Sequence, residues 1–561
     1  MPLVQGAYRG PYDEVLIEQA RARESVLLDG WERWEFWFEH EQAGLFRGPV
    51  EAAPSALQAD GRYAPRNDAL RRGVVSEAAA PLLLRALESP LPELREAAAL
   101  SLGRCGLPSS ADALIAAADD PIAQVRQAAL LGLGLLRNDQ ALVELGERFT
   151  NPGLTLGDRS FAALGLGLSR RAEAVPFLAA ALERDLRADR LAGEEEKLLQ
   201  ATIWACGLLG SSDLVATLMT RTEELERTAA SASRRVRTLT LWALGAIGDA
   251  SATSFLVNRL SHPDLAVQRS AAQALGRLRD PGALGGLAER LDQGGDLQAR
   301  VFCFLAVGRI GGPAAARVLE GHTDAVRVNR QLHSAWGLAA GMAGASSLMD
   351  GIFAELISGP DLDPWDAKGG SRSVSDPRRD EERMRGALAM GLALYGDAAL
   401  VEDLGTLIRR KGIDPDFAGY LCTAAGYLGG SKAAAVLQEA AASSLTQEDT
   451  RRGLATGLAL VGHPESAARC VELLLDPTEA PSVRLAAARA QGLARFGQSM
   501  RRILDALELD LGSPALAERN AHLLLAVGYL GDPYRGDRLA SALEGWNFRQ
   551  EFRLMRCLAS Y

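Results

Sequence analysis

Ser233 to Asp249 reads SRRVRTLTLWALGAIGD, and near-copies of this stretch recur through most of the chain. On a 3.6-residue period Val236, Leu241, Leu244 and Ile247 fall on one side of a helix. Gly245 lets a neighbouring helix approach, and Gly248 before Asp249 reads as the glycine stop of a helix end. The same grammar appears in LREAAALSLGRCG from Leu94, VRQAALLGLGLLR from Val125, RSFAALGLGLSR from Arg159 and VFCFLAVGRIGG from Val301. It continues in RGALAMGLALYGD from Arg385, GYLCTAAGYLGG from Gly419, RGLATGLALVGH from Arg452 and RNAHLLLAVGYLGD from Arg519. The first glycines, at 103, 134, 167, 207, 245, 276 and 308, stand 31 to 40 residues apart. A period in the thirties means stacked two-helix repeats.

Between these helices lies a second kind of segment, such as ADALIAAADDPIAQ before Val125 and ATSFLVNRLSHPDLA before Val267. Each predicts a short amphipathic helix closed by a polar turn. The alternation resembles HEAT repeats, in particular the bacterial type with a DP…VR…AA…ALG…LGD pattern also similar to that of phycobilin lyase subunits. Asp120-Pro121 with Val125-Arg126 carries its first half, and Ala243-Leu244-Gly245 to Asp249 its second. The resemblance covers roughly residues 76 to 561. It implies an all-α fold, an α-solenoid (superhelix) of about thirteen HEAT-like two-helix repeats, and it implies little about function because such arrays serve many tasks.

Composition agrees. Of 561 residues 48% are hydrophobic and only 6% aromatic, and the 57 glycines sit at helix ends rather than in linkers. In a solenoid each repeat buries its face against its neighbours, so one elongated body is expected in place of several globular domains. At about 10 Å per pair it would run on the order of 120 Å along its curve. A net charge of −10 argues against nucleic acid, whose binding needs a basic stripe that releases counterions. Six cysteines, at 105, 206, 303, 422, 470 and 557, show no metal or disulfide spacing and read as small buried residues in a reducing compartment. No apolar run is long enough to span a bilayer. The expected location is cytoplasmic, with export after signal removal as the alternative.

Five segments follow in order. Residues 1–46 form an N-terminal extension with an aromatic cap helix, on which Leu27, Trp31, Trp34 and Phe38 share one side; it reads as the cover that a solenoid needs at its end, with a partner-binding lobe as the alternative. Residues 47–75 are an irregular connection, and 76–357 a first array of repeats. Residues 358–383 are an inserted loop in which Trp365 stands among Asp361, Asp363 and Asp366, either functional or disordered. Residues 384–561 are a second array with a C-terminal cap.

No constellation for catalysis is found: no P-loop, HExxH or GxSxG motif. HEAT-like deoxyhypusine hydroxylases bind iron through several His-Glu pairs, and here only His40-Glu41 qualifies. The expectation is therefore a non-enzyme without cofactor or metal. An arginine recurs at 95, 126, 159, 237, 300, 385, 451 and 484. In HEAT arrays the equivalent arginine ties neighbouring repeats through acidic or carbonyl groups, and Asp120, Asp296 and Asp380 are placed for that; an anion-binding stripe is the other reading.

The informative departure lies in AA-x-ALG, where x is commonly charged and faces the concave side. Here x is Leu100, Leu131, Leu164, Trp204, Trp242, Gln273 and Leu305, then Ser334, Met390, Thr423, Thr456, Arg489 and Leu525. Leu100, Leu131, Leu164, Trp204, Trp242 and Leu305 would form an apolar stripe in the groove, as interaction surfaces do; tight curvature or a slipped register would bury them instead. The expected function is a protein-protein scaffold that binds an amphipathic helix or extended apolar segment of a partner in that groove. The alternative is a phycobilin-lyase-like or chaperone role that handles a tetrapyrrole.

Overall fold

The computed structural model describes residues 73–532 apart from 186–193, 228–232, 328, 359–376, 444–446 and 495–496. The aromatic cap helix, Trp365 and the C-terminal cap lie outside the described residues. Among the described residues the chain is all helix, in thirteen pairs. The first member of each pair is an outer helix: α1 (Ala80–Leu87), α3 (Ala111–Ala117), α5 (Asp139–Thr150), α7 (Val175–Asp185), α9 (Val215–Arg227), α11 (Thr253–Asn258), α13 (Leu284–Asp292), α15 (Gly312–Gly321), α17 (Ser346–Ser358), α19 (Val401–Ile408), α21 (Gly430–Ala442), α23 (Pro464–Leu475) and α25 (Gly497–Asp510). The second is an inner helix: α2 (Pro92–Cys105), α4 (Ala123–Leu136), α6 (Leu156–Ser169), α8 (Glu194–Leu209), α10 (Ser233–Ile247), α12 (Leu265–Leu278), α14 (Leu297–Ile310), α16 (Arg330–Ala343), α18 (Pro377–Tyr395), α20 (Pro415–Leu428), α22 (Glu448–Leu460), α24 (Pro481–Ala494) and α26 (Ala517–Gly531). A one-turn helix, Thr323–Val326, precedes α16.

The two kinds differ because their sequences do. Outer helices keep a polar face, as in α5, where Leu142, Leu145 and Phe149 are buried and Val143 and Glu147 are not. Inner helices are apolar or small all round, and a helix of that kind belongs in a core. Every residue from Gln127 to Leu136 in α4, and from Ser160 to Ser169 in α6, is buried. Aspartates start many helices: Asp296 accepts from the Ala299 amide at the head of α14, and Asp280 accepts from the Gly282 amide before α13, each satisfying an amide that a helix start leaves free.

Curvature comes from the glycines. A Cβ on Gly245 would lie 2.6 Å from the Ala274 Cα, and one on Gly308 2.6 Å from the Ala339 Cα. Gly134 meets the Gly165 backbone and Gly426 that of Gly457 in the same way. The joint residue of one inner helix thus meets, in the next, the residue two before its own joint residue. Backbone-to-backbone contact draws the inner layer together while side chains hold the outer layer apart, so each pair rotates against the last.

The rotation goes all the way round. α26 packs on α24 on one side and on α2, the first inner helix, on the other. The joint between α26 and α2 repeats the register of the others. A Cβ on Gly528 would lie 2.7 Å from Ser101 Oγ, two residues before Gly103, and the Ser101 hydroxyl donates to the Leu524 carbonyl at 2.8 Å. Arg104 lies over the Tyr529 ring at 4.4 Å and 3.8 Å from Asp532. The α-solenoid is therefore a closed ring, and the open, elongated body expected from the sequence is corrected: thirteen pairs at about 28° each complete a turn. The first and last repeats cover each other.

Candidate interaction surface

On α4, Gly132 faces α2 and Gly134 faces α6. Residues between them in sequence point to the two remaining sides. Leu133 and its equivalents Leu102, Leu244 and Leu275 are fully buried aliphatics against the outer layer. Leu131 points the other way, toward the ring axis, as do its equivalents. This is the side on which the sequence pattern places the stripe, and it lines the bore of a ring rather than a groove.

The stripe is more deeply covered than an exposed binding surface. Leu131, Leu164 and Leu305 are at most 1% exposed and Trp204 is 7% exposed, while Leu100 and Trp242 are half-buried. Of the two readings of the stripe, burial holds for these four residues and partial exposure for Leu100 and Trp242. Neighbouring side chains also touch along the bore: the Trp204 and Trp242 rings lie 5.1 Å apart, and Arg277 lies over Trp242 at 5.3 Å. In α16 the axis-facing place belongs to Leu338, not Ser334, because Gly341 and not Gly337 makes the joint with Gly391. Trp336-Gly337 imitates the Leu-Gly signal one turn early. Gln273, Thr456, Arg489 and Leu525 are half-buried and Met390 and Thr423 buried, so none of the thirteen axis-facing positions carries a carboxylate.

A second feature escaped sequence reading. Inner helices all run the same way, so their C-terminal ends share one rim. Eight end in a left-handed glycine, but α4, α6 and α12 end in Arg137, Arg170 and Arg279 at φ of 57°, 52° and 57°. A side chain in this conformation costs on the order of 1 kcal/mol, and a cation there complements the negative end of the helix dipole. The only sequence signal is an arginine where glycine is the rule.

The recurring arginines lie at the opposite ends of the inner helices, between repeats. Arg95 makes two hydrogen bonds to Asp120, at 2.8 and 3.0 Å, and Arg126 pairs with Asp158 at 3.2 Å. Arg159 and Arg385 donate to the Phe149 and Leu356 carbonyls, Arg237 stands 4.0 Å from Asp264, and Arg451 and Arg484 pair with Glu479 and Glu518. Asp296 binds Arg269, which the spacing rule passes over by one residue, at 2.6 and 2.8 Å. Arg300 is near Arg290, and burial followed by that charge holds its pKa below the usual arginine value. Burial raises the Asp120 and Asp296 pKa values, but hydrogen bonds from Arg95 and Arg269 outweigh it and leave both below the ordinary aspartate value.

Among the described residues no group of three or more His, Cys, Asp or Glu is placed to hold a metal. His322 bonds Asp292 at 3.1 Å and His333 bonds Glu355 at 2.6 Å, in different repeats. Cys105, Cys206, Cys303, Cys422 and Cys470 are buried and form no disulfide, and burial pushes the Cys303, Cys422 and Cys470 thiols up to about 12. No described helix is long and apolar enough to cross a membrane.

A family model of HEAT repeats matches residues 69–156 and 222–301. No curated protein matches the chain by sequence. Among solved structures the chain is similar to the complex of CpcE and CpcF of phycocyanin lyase from Nostoc sp., at 20% identity over 53% of this chain and 98% of that one, with a TM-score of 0.29. It is similar to human deoxyhypusine hydroxylase in complex with glycerol, at 17% identity over 70% and 96%, with a TM-score of 0.22. It is also similar to the Kap95:Nup1 complex, at 10% identity over 97% and 88%, with a TM-score of 0.37.

Proposed function

We propose that this chain, whose repeats are HEAT repeats, works as a non-catalytic protein-interaction scaffold in a reducing, cytoplasmic compartment, and that its partner presents an amphipathic or extended apolar segment to the axis-facing surface. One observation carries the reading: thirteen axis-facing positions hold leucine, tryptophan, methionine, small polar groups and one arginine, but no carboxylate. Apolar surface framed by arginine attracts a segment that is apolar on one face and acidic at its edge. The arginines of the rim, Arg137, Arg170 and Arg279, would meet those acids. Buried unreactive thiols suit a compartment in which cysteine stays reduced.

The test uses the half-buried positions. Leu100→Glu, Trp242→Glu and Leu525→Glu together place charge on the bore without burying it fully, whereas Trp204→Glu would force a carboxylate into a packed site and unfold the joint. The full chain, tagged in its native host, should capture a protein that the triple variant loses at least tenfold, with helicity unchanged, and the purified pair should rebind. Equal capture by both proteins would sink the axis-facing assignment. A coloured ligand that co-purifies with the parent and is lost in the variant would replace a protein partner with a tetrapyrrole.

A further inference from the structure

One of the recurring arginines differs from the rest. At two successive joints the residue that caps the next inner helix supplies the carboxylate. Arg237 stands 4.0 Å from Asp264, which accepts from the Ala266 amide at the head of α12. Arg269 binds Asp296, which accepts from the Ala299 amide at the head of α14. The next cap, 33 residues beyond Asp296 as Asp296 is 32 beyond Asp264, is Asn329, which accepts from the Leu332 amide at the head of α16. Asparagine keeps the cap and removes the charge. By that register Arg300 belongs opposite Asn329. Among the described residues Arg300 alone of the series meets no oxygen, and its Nε is buried without a hydrogen-bond partner.

What Arg300 has beside it is a second cation. Arg290, 8% exposed, lies near both Arg300 and Asp296. It donates to the Gly294 carbonyl and, at 2.9 Å, to Gln268 Oε1, both neutral acceptors, and its Nε is also buried without a partner among the described residues. Gly294 and Gly295, left-handed at φ of 69° and 88°, fold the turn around this guanidinium, so that a Cβ on Gly295 would lie 3.4 Å from Arg290 Nη2. Gly295 itself is exposed, which opens the turn to solvent. Asp296 already takes two bonds from Arg269, so one carboxylate serves three guanidinium groups. Like charges held together out of water cost free energy that an anion between them recovers. We propose that Arg290 and Arg300 form a binding site for a small oxyanion, which takes the place of the carboxylate that Asn329 lacks. Guanidinium groups present paired N–H donors that match the oxygens of such an ion. The site lies at the opposite ends of the inner helices from Arg137, Arg170 and Arg279 and does not depend on the axis-facing surface.

Melting of the full chain in sodium phosphate and in sodium chloride, at equal ionic strength and neutral pH, reads the site. The parent should melt about 2 °C or more higher in phosphate, because a ligand that binds only the folded state raises its stability. Two variants locate the effect. Asn329→Asp returns the carboxylate that Asp264 and Asp296 supply at their joints; it should raise the melting temperature in chloride and cut the phosphate shift at least fourfold. Arg300→Gln should cut the shift as much without lowering the melting temperature in chloride, since it removes a repulsion and no bond. Arg451→Gln, at a joint closed by Glu479, should instead melt lower in chloride and keep the full shift. Calorimetric titration with inorganic phosphate should find at least tenfold weaker binding in Arg300→Gln than in the parent. Equal melting of the parent in the two salts overturns the proposal. So does a full phosphate shift in Arg300→Gln, which would assign the ion to other arginines. If Arg300→Gln misfolds, Asn329→Asp decides by the same comparison.

Discussion

Two joints of the ring use the same contacts and differ in what connects them. Between α4 and α6, Gly134 meets Gly165 and Arg126 reaches Asp158 across 32 residues of chain. Between α26 and α2, Gly528 meets Ser101 and a hydroxyl reaches the Leu524 carbonyl across 423 residues. Closing the longer loop costs about 2 kcal/mol more in chain entropy. The closing joint gains from Arg104, which is buried over Tyr529 near Asp532, where ordinary joints rely on half-buried arginine pairs. A linear solenoid frays from its ends; a ring has none, and its weakest point is the joint with the longest loop.

The largest effect comes from crowding each joint. Gly528→Leu and Gly165→Leu both push a side chain into backbone-distance contact and should destabilise by about 1–3 kcal/mol or more. Their shapes should differ. Gly528→Leu opens the ring, so small-angle scattering should show a larger maximum dimension and loss of the central minimum in the distance distribution. Gly165→Leu should keep the parent's dimension, because the chain still ties α4 to α6. Equal expansion of both would mean that the closing joint is not special.

This comparison also marks what sequence could reveal. The helix pairs and their number follow from apolar period and glycine placement, since each repeat states them locally, whereas the inward side comes from the resemblance to the HEAT pattern and slips at Ser334. Closure does not, because it sums thirteen small rotations: a few degrees less at each of Gly245, Gly308 or Gly426 would leave a gap between α26 and α2. Those angles depend on tenths of an ångström at backbone contacts. The burial of Leu131 and Trp204, beside half-buried Leu100 and Trp242, was hidden too, because it depends on how side chains of neighbouring inner helices pack and no single repeat states that. Arg137, Arg170 and Arg279 were legible as arginines in the place of glycine, but a periodic reading scores that position as a loop.

Acid should act on ordinary joints next. The Asp120 and Asp296 pKa values lie below their unfolded value of about 3.9. A carboxylate with a depressed folded pKa contributes stability that is full above its unfolded pKa and is lost as pH falls through the folded one. Melting temperature should therefore hold near pH 5 to 7 and drop below about pH 4. Asp120→Asn with Asp296→Asn should cost about 0.5–1.5 kcal/mol per site at neutral pH, since asparagine keeps one acceptor for the arginine, and flatten that drop. Unchanged acid sensitivity in the double variant would assign it to other carboxylates. The Gly528 joint, held by neutral contacts as well, should open no earlier than the rest as pH falls.

The smallest effect concerns the rim, and its smallness is the point. Arg279→Gly removes a left-handed side chain that costs on the order of 1 kcal/mol, yet gives the unfolded chain about 0.4–1 kcal/mol more entropy to lose. The two nearly cancel, so the melting temperature should move by no more than about 2 °C. Gly248→Ala at the equivalent end of α10, where φ is 79° and so further than Arg279 from the left-handed minimum near about 57°, should instead destabilise, because the strain there exceeds the unfolded-chain entropy that alanine removes. If Arg279 is kept only as a tolerated cap, Arg279→Gly should also leave partner capture intact. If its charge faces the acids of a partner segment, capture should weaken several-fold while stability stays level, and a change in binding without a change in folding separates a working residue from a structural one.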